Sequence, residues 1–155
     1  MTGNYSTISL AEKAYADYFG YEDALFFPSG YQANLGVISA LFGPDDTVVF
    51  DKHIHARSVK GMALSRAEFL GYNHNSMSHL RRRLEARRQK QVCLLTESLF
   101  SMDGDLLDLE AIVELKKTYG FLAVVDEAHS FGAWGRGGAE SPVRRRTSQS
   151  ARQWR

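Results

Sequence analysis

Short apolar runs rich in β-branched residues alternate with segments of helical period along most of the chain. Thr47-Val48-Val49-Phe50, Val92 to Thr96 and Phe121-Leu122-Ala123-Val124-Val125 read as strands, and a further strand is expected near 67–71. Parallel neighbours cannot be joined by tight turns and need crossovers, so the alternation predicts an α/β fold of three layers: a mostly parallel sheet flanked by helices. Ligands of such sheets bind at the carboxyl ends of the strands.

The intervening segments carry helix punctuation. Ser9 with Glu12 three residues on spells a capping box and Gly20 a stop, which predicts a helix over 9–19. Ala24-Leu25-Phe26-Phe27, stopped by Pro28, reads as a short buried strand. A helix is expected from Gly30, with Tyr31, Leu35, Ile38 and Leu41 on one face, and Gly43-Pro44-Asp45-Asp46 is a turn by composition. Further helices are expected near 56–64, from Ser76 with Met77, Leu80 and Leu84 inward, and over Leu109 to Tyr119.

With 155 residues, 44% of them hydrophobic, the chain can bury a core of one domain. Its net charge of +1 lacks the basic footprint of a nucleic-acid binder. Arg81 to Arg88 keeps helical spacing with no interleaved aromatics, which reads as a solvated helix face. The single cysteine, Cys93, excludes an internal disulfide and fits a cytoplasmic protein. The first residues show no targeting pattern, and no apolar run approaches the ~20 residues that span a bilayer. After Gly135 to Gly138 the composition changes: Ser141 to Arg155 holds arginines, serines and glutamines and no periodic apolar face. Two units are therefore expected, a packed part over 1–140 and a basic, disordered tail over 141–155.

Four polar clusters fall at expected strand ends or helix starts. Pro28-Ser29-Gly30-Tyr31-Gln32-Ala33-Asn34 places a glycine where backbone N–H groups can meet a phosphate, although an ordinary capped helix has the same look. His55-Ala56-Arg57-Ser58 follows a strand, so its imidazole could stack on a flat ligand or simply face solvent. Two histidines, His53 and His55, without a third ligand at recognisable spacing point away from zinc. Glu97 to Asp105 gathers hydroxyls and carboxylates in a long turn, which Asp103-Gly104 explains as well by turn chemistry. Asp126-Glu127-Ala128-His129 sets an acid and a histidine at the end of the last strand. The same four letters mark a helicase family, but no Gly-x-x-x-x-Gly-Lys-Ser/Thr loop exists here to hold a triphosphate.

In their order, Ser29-Gly30-Tyr31-Gln32-Ala33-Asn34, Asp51 to His55-Ala56, Phe100-Ser101-Met102-Asp103-Gly104-Asp105 and Asp126-Glu127-Ala128-His129 resemble the α-oxoamine synthases over about residues 6–140. These enzymes condense an amino acid with an acyl-coenzyme A, with loss of carbon dioxide. The resemblance implies part of the large domain of a fold-type I pyridoxal-phosphate enzyme, with pyridoxal 5′-phosphate as cofactor. It implies that Gly30 and Tyr31 hold the phosphate, that Asp126 pairs with the pyridine nitrogen, and that Ser101 and His129 bond the phenolic oxygen. His55 would stack on the ring, and His55 and His129 are the implied proton-handling, catalytic residues. Amino acid and acyl-coenzyme A are the implied substrates, and the family works as homodimers.

The family's reaction also needs a lysine bonded to the cofactor, carried beyond the aspartate-histidine strand in a Ser-x-x-Lys-like context. The resemblance fades after Gly138-Ala139-Glu140, and Lys13, Lys52, Lys60, Lys90, Lys116 and Lys117 all lie upstream in unrelated contexts. A shortened or frameshifted product, inactive alone, is therefore expected. The alternatives are a non-catalytic partner of a full-length homologue and an enzyme of the class I/II aminotransferase type. Two departures bear on substrate recognition: Ile8-Ser9-Leu10-Ala11-Glu12 replaces the family's His-x-x-Leu-Glu, and Arg57 stands where a serine usually follows His-Ala.

Overall fold

The computed structural model describes residues 5–54, 64–86 and 91–133. Its elements run α1 (Ser6–Phe19), α2 (Gly30–Leu41), β1 (Asp46–Asp51), β2 (Glu68–Tyr72), α3 (Met77–Glu85), β3 (Gln91–Glu97), α4 (Leu109–Tyr119) and β4 (Leu122–Asp126). The four strands form one sheet in the order β2-β1-β3-β4, and every pairing is parallel. Register places Asp51 beside Tyr72 and Glu97 beside Asp126, so the acidic strand ends share one edge.

Side-chain alternation sorts the sheet into two cores. Val49, Tyr72, Val92 and Leu94 face Leu80 and Leu84 of α3 and Leu109, Ile112 and Leu115 of α4. Val48, Cys93 and Leu95 point the other way, toward Ile38 of α2, Phe42 and Ile54. This is the expected three-layer arrangement. Burial pushes the Cys93 thiol up to about 12, which leaves it a small apolar core residue. Replacing Ile112, wholly buried between α4 and the sheet, by Ala is expected to cost about 2–5 kcal/mol of stability in urea unfolding. Leu122→Thr, on the half-exposed start of β4, should cost less than about 0.5 kcal/mol.

Local chemistry sets the helix ends. Asp108 Oδ1 accepts from Ala111 N at 3.1 Å, and Gly120 closes α4 with φ at 64°, the left-handed region that a Cβ disfavours. Ser76 accepts from His79 N at the start of α3, as the sequence predicts.

Two expectations fail. The capping box is absent: α1 begins at Ser6 after Tyr5, and the Glu12 carboxylate accepts from Phe26 N at 2.9 Å instead of folding back on its own helix. The run 24–27 is not a strand. Leu25 is largely exposed, Phe26 meets Tyr15 edge-on at 5.5 Å, and a Cβ on Gly36 would come within 3.0 Å of the Phe27 ring. Phe26 and Phe27 stay exposed as well, so the segment makes only these partial contacts with α1 and α2 and lies in no strand. The helix expected near 56–64, apart from Leu64, and the tail over 141–155 lie outside the described residues.

Candidate functional site

Helix α2 starts where the sequence places it. Ser29 Oγ accepts from Gln32 N at 3.2 Å, and the first-turn N–H groups have no partner within the helix. Gly30 borders open space, because a Cβ built there meets nothing within 4 Å. Tyr31 beside it is exposed.

One turn further, Asn34 Nδ2 donates to Asp126 Oδ2 at 3.2 Å, which joins the start of α2 to the carboxyl end of β4. Asp126 Oδ1 accepts from Ala128 N at 2.9 Å. Each oxygen of an ionised carboxylate such as this partly buried one has two acceptor lone pairs, one more than its bond to Asn34 or Ala128 takes. A donor set of this kind, an acidic acceptor beside an open helix N-terminus, fits a cationic ring nitrogen at one end and an anion at the other.

Ser101 and His129 are both exposed, on the loops that leave the neighbouring strands β3 and β4. A pair of buried serines fastens those loops together. Ser98 Oγ and Ser130 Oγ lie 2.7 Å apart, and Ser98 N donates to Asp126 O at 3.0 Å. The sequence holds no spacing that announces this pair, since its members lie 32 positions apart. Gly30, Tyr31, Ser101, Asp126 and His129 thus all stand at the carboxyl edge of the sheet or at the helix start tied to it. His55 lies outside the described residues.

A second polar group, centred on His74, occupies the same edge at β1 and β2. His74 Nδ1 lies 3.0 Å from Asp51 Oδ1, and its Nε2 lies 2.8 Å from Asp105 Oδ2. Asn75 N donates to Asp51 Oδ2 at 2.9 Å, and Asn75 Nδ2 donates to Asp105 Oδ2 at 2.7 Å. Asn75 adopts φ of 48°, a left-handed conformation that Asn tolerates better than most residues. The His53 ring stacks on His74 at 4.1 Å and lies 2.9 Å from Asp103 Oδ2.

Ligand atoms of His53, His74 and Asp103 lie within 4.8 Å of one another, the grouping that the described residues offer to a metal ion. The two rings are parallel to within 5° with centroids 4.1 Å apart, so their in-plane lone pairs lie in separate parallel planes. Both nitrogens of His74 are also engaged by carboxylates.

Desolvation pulls the His74 pKa down, but the hydrogen bonds and charges of Asp51 and Asp105 outweigh it and raise the pKa above the usual imidazole value. Desolvation acts upward on Asp105, yet its bonds to Asn75 and His74 hold its carboxyl below the usual value. A raised histidine contributes stability that is complete below its unfolded pKa, near 6.5, and is lost as pH rises through the folded value. A depressed carboxylate contributes stability present above its unfolded pKa, near 3.8, and lost as pH falls through the folded one. The midpoint of thermal unfolding should therefore fall from mildly acid toward alkaline pH, and His74→Gln should flatten that fall in pH-dependent calorimetry.

The sequence model of the aminotransferase class I and II family matches residues 1–150. The 8-amino-7-oxononanoate synthase of Chlorobaculum parvum is 42% identical over 140 residues, covering 89% of this chain and 36% of that relative. Among solved structures, a serine palmitoyltransferase of Sphingomonas wittichii superposes with a TM-score of 0.87 at 33% identity, over 96% of this chain and 38% of its own. A serine palmitoyltransferase from S. paucimobilis, with PLP and myriocin bound, gives a TM-score of 0.83 at 34% identity, over 89% and 35%. The chain thus spans little more than a third of the length of the proteins it matches.

Proposed function

The chain belongs to the aminotransferase class I and II family, with relatives among the α-oxoamine synthases, and from that membership we propose that it is the cofactor-holding part of a pyridoxal-phosphate-dependent acyltransferase of the α-oxoamine synthase type. The activity of the whole enzyme would be the decarboxylative condensation of an amino acid with an acyl-coenzyme A. The observation that carries the proposal is the Asn34–Asp126 hydrogen bond, which sets a carboxylate and an open helix N-terminus on one edge of a parallel sheet.

In this reading the first turn of α2, at Gly30 and Tyr31, binds the phosphate through backbone N–H groups and the positive end of the helix. Asp126 holds a proton on the pyridine nitrogen, and Asn34 orients that carboxylate by donating to its second oxygen. Ser101 and His129 would donate to the phenolic oxygen, and His55, which lies outside the described residues, would handle a proton by the family resemblance. Bound there, the cofactor supplies an electron sink for the charge released at an amino acid's α-carbon.

A chimera tests the reaction class. Residues 5–133 of this chain replace the matching segment of an 8-amino-7-oxononanoate synthase, and the product is assayed with amino acids and acyl-coenzyme A. Release of coenzyme A together with carbon dioxide is expected. Amino-group transfer to a keto acid without either release would reject condensation in favour of an aminotransferase. A well-folded chimera that binds the cofactor and performs neither reaction would favour a partner subunit without catalysis.

A further inference from the structure

We propose that His74 is a positioning residue for the cofactor site: clasped between Asp51 and Asp105, it fixes the turn that presents Ser101 at the carboxyl edge of the sheet. The inference rests on the reading of Ser101 as a cofactor contact.

Ser101, Met102, Asp103 and Gly104 are exposed and contribute nothing to either core. A turn of this kind has little of its own to hold it still. Its two ends, however, are anchored. Phe100 N donates to Asp105 O at 3.0 Å and Gly104 N to Phe100 O at 2.8 Å, closing the turn on itself. Phe100 is buried and meets the His74 ring edge-on at 4.4 Å, while the Asp105 carboxylate takes the His74 Nε2 contact. Both ends of the Ser101 turn therefore rest on one imidazole.

That imidazole is in turn held by the sheet. Asp51, wholly buried at the end of β1, accepts from the backbone N–H groups of His53 and Asn75 and pairs with His74 Nδ1. A neutral imidazole can donate from one nitrogen alone, and the other would set its lone pair against a carboxylate. Two carboxylate partners on opposite nitrogens favour the imidazolium, which donates to both. The groups that face His74 are Asp51 and the stacked His53 from the β1 end, Asn75 from its own turn, and Asp105 with Phe100 from the turn after β3; Asp103 reaches it through His53. The other motifs at this edge explain the cofactor's contacts; this one explains why an exposed serine would stand in a defined place.

The test uses the full 155-residue chain and pyridoxamine 5′-phosphate, which carries the ring, phenolic oxygen and phosphate but no aldehyde to react with stray lysines. His74→Gln, Asp105→Asn and Ser101→Ala are each expected to weaken binding about tenfold, an ordinary size for coupling between adjacent sites. His74→Gln combined with Ser101→Ala should be no weaker than Ser101→Ala alone, because His74 acts through Ser101. The affinity gap between the wild type and His74→Gln should also close as pH rises through the titration of the His74 ring, followed by its 15N shifts. Asp105→Asn, which preserves shape, guards against a folding defect in His74→Gln and should lower that ring's pKa.

Losses that add in the double variant, or full affinity in Asp105→Asn and His74→Gln, would overturn the proposal. If Ser101→Ala keeps full affinity while Asp126→Ala loses it, the Ser101 contact and the role of His74 fall but the cofactor site stands. If Asp126→Ala also keeps it, the functional reading itself falls.

Discussion

Asp126→Ala is expected to weaken pyridoxamine 5′-phosphate binding by roughly 10- to 100-fold, the equivalent of the ~1.5–3 kcal/mol that a hydrogen bond to a charged group contributes. The estimate follows from geometry. Asp126 stands at the last residue of β4, its oxygens already oriented by Ala128 N and Asn34 Nδ2 at 2.9 and 3.2 Å, so little ordering remains to oppose binding. Its side chain contributes to neither hydrophobic core, and the fold should survive the change. Equilibrium titration, with circular dichroism to check folding, reads the effect. Unchanged affinity in a folded variant would contradict the role given to this carboxylate.

The second large effect is all-or-none. Incubation of the 155-residue chain with pyridoxal 5′-phosphate and borohydride is expected to label no lysine stoichiometrically. Of its lysines, Lys13 pairs with Asp17 on the exposed surface of α1, and Lys117 pairs with Glu114 on α4. Lys116 also belongs to α4. Lys52 follows β1 at the carboxyl edge, but its ammonium lies 2.9 Å from Asn73 Oδ1. Peptide mapping by mass spectrometry would show sparse, scattered labelling. Near-complete labelling at one position, Lys52 foremost, would show that the chain supplies its own lysine to the cofactor and would overturn the expectation.

What could be read from the sequence was what local chemistry decides. Helix α4 runs from Leu109 to Tyr119 as expected because Asp108 and Gly120 terminate it, and β1 and β3 follow their β-branched runs to within a residue. The segment 24–27 departs from the expected buried strand because an apolar run need not be covered: Leu25, Phe26 and Phe27 all stay exposed, and Phe26 and Phe27 make only partial contacts with Tyr15 and Gly36. Ser9 and Glu12 hold capping-box spacing, yet tertiary contact with Phe26 claims the carboxylate.

The candidate site divides in the same way. Gly30, Ser101, Asp126 and His129, proposed to meet the cofactor, are legible because each sits in a short motif at an expected junction. The His74 group is not, because Asp51, His74 and Asp105 are 23 and 31 positions apart and only the parallel register of β1, β2 and β3 brings them together. Asn34 belongs to the Ser29-to-Asn34 motif, but its partner is 92 positions away.

The most direct measurement is a 15N-labelled amide titration of the chain with pyridoxamine 5′-phosphate. Saturable shifts at one site per chain are expected, grouped at Gly30, Tyr31, Ser101, Asp126 and His129, with residues of α4 unmoved. Absence of saturable shifts, or shifts gathered instead on the aromatic face of α1 around Tyr15, Phe19 and Phe131, would contradict the assignment of this edge as the cofactor site.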